Sequence, residues 1–361
     1  MSRSSETLIL GTRKGLFVLA RRDGRWQIEH VTQEGVPISY ATIDPRSGRL
    51  WACQDHGHWG PKLAYSTDRG RTWEEVPAPA YPEGSEVAEG KPAATKYLWV
   101  LTPGEPQRPE RLYVGTVPGG LFVSDDGGRS FRLVESLWNH PSRPQWFGGG
   151  FGDAGIHSVV IDPRNPRRWL VGVSCAGVFE TGDDGATWEV RNRGLVASFL
   201  PDPTVEIGHD PHVMVAAPTD PDVLWQQNHC GIFVSRNGGR EWNDVSQAEG
   251  PARFGFAVAV DDQSADSAWV VPATSDEQRI AVGGALCVCR TDDGGAHWTR
   301  LGEGLPQRQA YDVVFRHALD AAGGRVAFGS TTGNVYLSED RGDSWIALGQ
   351  NFPPVYSVRF A

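Results

Sequence analysis

The apolar residues of this chain come in short runs, each closed by a cluster rich in Gly and Asp. Ile156–Ile161 is one such run, the turn DPRNPRR follows it, and Trp169–Val173 is the next. Runs of this length bounded by turn residues predict strands joined by tight connections. Other runs, Gly119–Ser124, Cys230–Ser235 and Gly333–Ser338, lead into a polar turn. Strands that begin with or next to an aromatic residue follow such turns, as in Thr72–Val76, Thr187–Arg191 and Ser344–Leu348.

The polar turn between those strands is a repeat. Six segments share a pattern close to Ser-x-Asp-x-Gly-x-Thr-Trp: Ser66–Trp73, Ser124–Phe131, Thr181–Trp188, Ser235–Trp242, Thr291–Trp298 and Ser338–Trp345. Their terminal aromatics recur every 47 to 58 residues, and a degraded copy, Arg22–Trp26, precedes them. A short Asp or Asn side chain that bonds nearby backbone, followed by Gly free to take positive φ, is the chemistry of a hairpin turn. With two β-like runs upstream of each hairpin, every unit predicts four antiparallel strands, A to D, as in a propeller blade.

The expected fold is therefore an all-β, seven-bladed β-propeller in one domain spanning 1–361. Blade 1 is assembled from 352–361 plus 5–32. Blade 2 covers 38–78, blade 3 95–136, blade 4 155–192, blade 5 210–246, blade 6 253–302 and blade 7 310–349. The N-terminal runs supply strands B, C and D only. The last run, Val355–Phe360, supplies the missing A strand, so the two ends close the ring and leave no open sheet edge.

These repeats resemble Asp-box, or BNR, repeats, found in sialidases, sortilin-type receptors, enzymes that cleave cellulose and xyloglucan, and photosystem II assembly factors. The resemblance spans nearly the whole chain. It implies the propeller fold and leaves function open, because in those families the motif lies away from the chemistry. It leaves two readings: an enzyme of hydrolase or lyase type acting on a small polar or sugar-like substrate, and a non-catalytic interaction or assembly scaffold. Sialidases hold a substrate carboxylate with three Arg, the first in a strand-A motif. Here the A strands open on Tyr40, Tyr97, His157, His212, Phe256, Tyr311 and Tyr356, none with that Arg motif. Each box offers one or two carboxylates, too few for a calcium loop.

Composition adjusts this picture at a few points. Trp is frequent, 14 against 2 Met, and six of the 14 close the motif or its degraded copy. The net charge of −10 argues against a nucleic-acid partner. No apolar run is long enough for a transmembrane helix, so no membrane partner is expected. Five Cys, an odd number, with no signal-like stretch before Arg13-Lys14, predict a reducing, cytoplasmic setting. Oligomeric state is left open.

In an up-and-down blade the boxes, as C–D turns, share a face with the A–B turns. The B–C turns and the D-to-A links lie on the other face, around the channel mouth, where sites gather. Seven of ten His map there: His56, His58, His140, His157, His209, His212 and His229. Asp55, Asp153, Glu206, Asp210 and Asn228 accompany them, as do Cys175 and Cys230, while His30, His297 and His317 fall on outer strands or turns.

Three chemistries fit this cluster. His56, His58, His157, His212 and His229 could ligate a divalent transition metal such as zinc. His157, His212, His229, Asp153, Glu206 and Tyr311 could act as metal-free catalytic groups. The imidazoles could instead hydrogen-bond loop backbone. Arg13, Trp59, Trp146, Asn228 and Arg308 are the candidate contacts to a small-molecule or carbohydrate substrate, with aromatic rings suited to stacking on sugars. The stretch Phe147–Asp153, with four Gly, is the most permissive backbone in the chain. It reads as a lid or as a long link between blades.

Overall fold

A computed structural model describes residues 6–349 and 351–361; residue 5, the expected start of blade 1, lies outside them. Seven four-stranded antiparallel sheets follow one another around a central channel, as a seven-bladed β-propeller. Blade 4 is typical: Ile156–Ile161, Trp169–Val173, Gly177–Thr181 and Glu189–Val190 pair in that order from the channel outward. In blade 1 the C-terminal strand Val355–Phe360 pairs with Thr7–Thr12, from Leu8 opposite Phe360 to Thr12 opposite Val355. The ring closes as the sequence predicts.

The boxes form because each side chain satisfies its own turn. In blade 4 the Thr181 hydroxyl lies 2.8 Å from Asp183 Oδ1 and accepts the Gly185 N–H at 3.0 Å. Asp183 then accepts the Thr187 N–H at 2.9 Å and the Thr187 hydroxyl at 2.7 Å. Two consecutive residues sit at positive φ, Asp184 at 66° and Gly185 at 86°. The second is Gly in every full copy. A Cβ on Gly128 would come within 2.6 Å of the Trp51 ring.

The motif Trp staples neighbouring blades. Trp242 Nε1 donates to the Arg191 carbonyl of blade 4, and Trp298 Nε1 to the Val245 carbonyl of blade 5, each at 2.8 Å. A second set on the B strands, Trp51, Trp169, Trp225 and Trp269, is almost wholly buried between blades. Trp269 Nε1 reaches the Arg341 carbonyl of the blade 7 box at 2.8 Å. The abundance of Trp is thus largely a property of the blade interfaces.

Blade 7 differs from expectation. Its inner strand is Leu319–Ala322, which turns through Gly323-Gly324 into Arg325–Gly329. The segment from Tyr311 to Ala318 carries no regular strand, and its Phe315, Arg316 and His317 line the cavity. Tyr311, expected to open the A strand, is consequently 63% exposed, and His317 is moved from an outer turn to the centre.

Candidate functional site

A cavity of about 590 Å³ opens on the face opposite the boxes. Its wall is aromatic: Tyr97, Trp99, Phe256 and Tyr356 come from inner strands, while Phe147, Phe151 and Phe199 come from the D-to-A links. Phe147, Phe151 and Phe199 are 38 to 46% exposed, so apolar rings face solvent here. The Gly-rich stretch builds one side of the cavity. A Cβ on Gly148 would come within 2.1 Å of the Gly152 carbonyl oxygen, so the link folds back on itself only with Gly there.

Asp210, His212 and His229 meet at the base of this wall. One donor atom from each lies within 4.8 Å of the other two. His212 Nε2 stands 3.5 Å from Asp210 Oδ2, and His229 Nδ1 stands 3.7 Å from the same oxygen. The other Asp210 oxygen accepts the Cys175 N–H at 3.2 Å, and the Asp210 carbonyl accepts the His229 N–H at 2.9 Å. His212 stacks on Phe256 with ring centroids 4.6 Å apart, and its Nδ1 donates to the Gly255 carbonyl at 2.6 Å. On the far side of His229, Asp276 Oδ2 lies 3.6 Å from Nε2.

The electrostatics follow from burial. Burial drives the His212 imidazole below its ordinary pKa, against the opposing pull of Asp210. Burial favours the neutral acid at Asp210, but His212, Arg316 and His229 overcome it and hold the carboxyl far below the usual range. Arg316 enters from blade 7 with its guanidinium 4.7 Å from the Trp99 ring and 5.8 Å from Phe256. Its Nε is buried without a hydrogen-bond partner among the described residues. Arg279 lies 5.4 Å from the centre of the same Phe256 ring. Burial pushes the Cys175 thiol well up, so Cys175 does not supply a thiolate.

The structure brings together only part of the expected set. His157 is fully buried with its ring edge toward Trp99, and it hydrogen-bonds Ser158 rather than facing the cavity. His56 and His58 sit on a short 3-10 turn, Gly57–Trp59, outside the Asp210 group; His58 is exposed and packs edge-on against Trp59. Of the five His expected as metal ligands, only His212 and His229 come together, beside Asp210. Asp153 is ion-paired to Lys91 at 3.3 Å and to Lys96, which removes it as a free acid. Glu206 and Tyr311 point to solvent, and Arg308 is exposed outside the cavity wall.

The substrate contacts change similarly. Asn228 is buried within its own turn, donating to Gln226 and accepting the Cys230 N–H. Trp146 packs on Phe179 and bonds Ser142, and Trp59 stands 74% exposed away from the cavity. Arg13 is exposed, close enough to Tyr356 to act on its phenol. His209 donates to the Val205 carbonyl, and His140 is tied to Ser142.

Sequence reasoning missed Trp99, Asp276, Arg279 and Arg316. Asp276 and Arg279 lie in the long B–C connection of blade 6, whose length was the available signal. Arg316 was hidden by the shifted strand of blade 7; the Asp320-Ala-Ala-Gly-Gly hairpin was the sign of that shift.

The BNR/Asp-box repeat model matches residues 64–75. Over 301 residues the chain is 26% identical to an oligoxyloglucan-reducing end-specific xyloglucanase of Emericella nidulans, covering 80% of this chain and 31% of that protein. The chain spans about a third of the length of the curated relatives it matches. Among solved structures, an ancestral GH74 enzyme aligns with a TM-score of 0.61 at 15% identity, over 87% of this chain and 39% of that one. YCF48 bound to D1 peptide aligns at 0.51 and 15% identity, over 91% of each chain. At such identities both structures speak for the fold alone.

Proposed function

Because the chain is an Asp-box repeat β-propeller, we propose that it is a glycosidase-type hydrolase acting on a sugar substrate in the central cavity. One observation carries this reading: an aromatic wall encloses a convergent polar group, Asp210, His212, His229 and Asp276, beside two guanidinium groups. Aromatic faces stack on sugar rings, and a few convergent polar groups orient and activate the bound molecule. The similarity to a xyloglucanase favours a carbohydrate substrate.

In the proposed reaction water adds to the anomeric carbon as the bond to the leaving oxygen breaks. The water loses a proton and the leaving oxygen gains one. Asp276, 3.6 Å from His229 Nε2 at the edge of the Asp210 group, is the group through which these protons move. Arg316 and Arg279 hydrogen-bond oxygens of the substrate. A scaffold would instead present a broad exposed patch, and the concave cavity with convergent polar groups favours the enzyme.

The test is a panel of aryl glycosides and xyloglucan oligosaccharides assayed with wild type, Asp210→Asn and His229→Ala. The expected result is turnover of at least one glycoside, with kcat reduced on the order of 10²–10⁴-fold in both variants. No turnover across the panel, or unchanged turnover in both variants, would contradict the reading.

A further inference from the structure

The hydrogen bonds around Asp210 leave an unusual arrangement. A carbonyl only accepts, so the 2.6 Å contact to Gly255 requires that His212 Nδ1 carry a proton. In the neutral ring the lone pair is then on Nε2, which points at Asp210 Oδ2 from 3.5 Å. His229 Nδ1 points at the same oxygen from 3.7 Å. With that ring neutral, two electron-rich atoms, His212 Nε2 and Asp210 Oδ2, therefore face one another with His229 Nδ1 beside them, and a cation between them removes the repulsion.

We propose that Asp210, His212 and His229 bind one divalent first-row transition-metal ion of the zinc type. Two imidazoles and one carboxylate are a preferred donor set for such ions. Donors 2.0–2.1 Å from a tetrahedral ion lie about 3.4 Å apart. The two separations from Asp210, 3.5 and 3.7 Å, are close to that value, and all three donor atoms lie within 4.8 Å of one another. Outer contacts orient each ligand as metal sites require. Gly255 fixes the His212 tautomer, the Cys175 N–H holds the second Asp210 oxygen, and Asp276 faces His229 Nε2.

Charge is compatible as well. Asp55, Asp210 and Asp276 line the cavity against Arg279 and Arg316, so a divalent ion is not opposed by a net positive wall. Three protein ligands leave a coordination position open toward the aromatic cavity, as in catalytic rather than structural sites. The inference rests on the same cavity as the proposed hydrolase. With a metal bound, Asp276 is left to handle the proton.

The experiment is calorimetric titration of chelator-treated protein with ZnCl₂ and with MnCl₂, which reads binding without reference to hydrolysis. Wild type is expected to take up one equivalent of at least one ion. His229→Ala and Asp210→Asn should each weaken binding at least tenfold, and Asp276→Asn by about tenfold. The double variant His56→Ala/His58→Ala should bind as wild type does. His229→Gln, with circular dichroism unchanged from wild type, guards against misfolding. Absence of saturable binding in wild type, equal binding in the His229 variants, or loss of binding in the His56/His58 double variant would overturn the proposal. Binding without turnover would instead count against the hydrolase reading alone.

Discussion

The two faces of the propeller use the same residue types in opposite ways. On the box face, Asp183 spends both oxygens on groups within four residues of itself. On the cavity face, Asp210 meets His212 and His229 of its own blade, the Cys175 N–H of blade 4 and the field of Arg316 from blade 7. A locally closed network can repeat around the ring, since the bonds of its motif Asp need nothing from neighbouring blades, while the motif Trp reaches the adjacent one. A convergent network exists once, because it depends on several blades arriving together.

That contrast predicts a graded set of outcomes. Deletion of residues 353–361 removes the inner strand of blade 1 and exposes Thr7–Thr12 as an open edge. It should abolish cooperative thermal unfolding, and a truncate that melts as wild type does would refute ring closure. Trp269→Ala opens a cavity between blades 6 and 7 and breaks the bond to Arg341. It should cost roughly 3–5 kcal/mol in chemical denaturation.

Smaller effects are expected within a box. Asp183→Ala removes the bonds from exposed Thr187, whose donors water can reach, and should cost about 0.5–1.5 kcal/mol. Asp183→Asn should cost less, because Asn237 already fills this position in blade 5, with Oδ1 accepting the Glu241 N–H at 3.0 Å. Substitution of both Asp183 and a second box by Asn should sum nearly linearly, since the two networks share no partner.

The smallest effect is a matter of pH. Hydrogen bonds from Ser130, Thr187 and His297 hold the Asp126, Asp183 and Asp293 carboxyls down to about 2. Their unfolded value is about 3.9. A depressed folded pKa gives stability that is present above pH ~4 and lost as pH falls toward ~2. The triple Asp→Asn variant should therefore flatten acid unfolding in that window, followed by Trp fluorescence. An unchanged acid profile would show that the boxes do not contribute to it.

The fold was legible because its determinants are local and repeated. Six copies of one turn set the strand spacing, and the bare terminal run Val355–Phe360 disclosed the closure. The candidate site was legible only where its residues sat on regular connections: His212 and His229 were placed on one face because an A-strand start and a B–C turn are easily counted. Arg316 and His317 were missed because one irregular segment in blade 7 shifts the count. His56 and His58 attracted attention by their spacing, yet their turn projects into solvent. Proximity in sequence says little about convergence across a ring.

The most direct test of the account compares kcat/KM for Asp210→Asn and Asp183→Asn on one hydrolysed glycoside, with Tm recorded for both. Asp210→Asn is expected to lose most activity with Tm nearly unchanged, while Asp183→Asn lowers Tm with kcat/KM intact. Full activity in Asp210→Asn, or loss of activity in Asp183→Asn at a temperature where it is folded, would contradict the division of the molecule into a structural and a functional face.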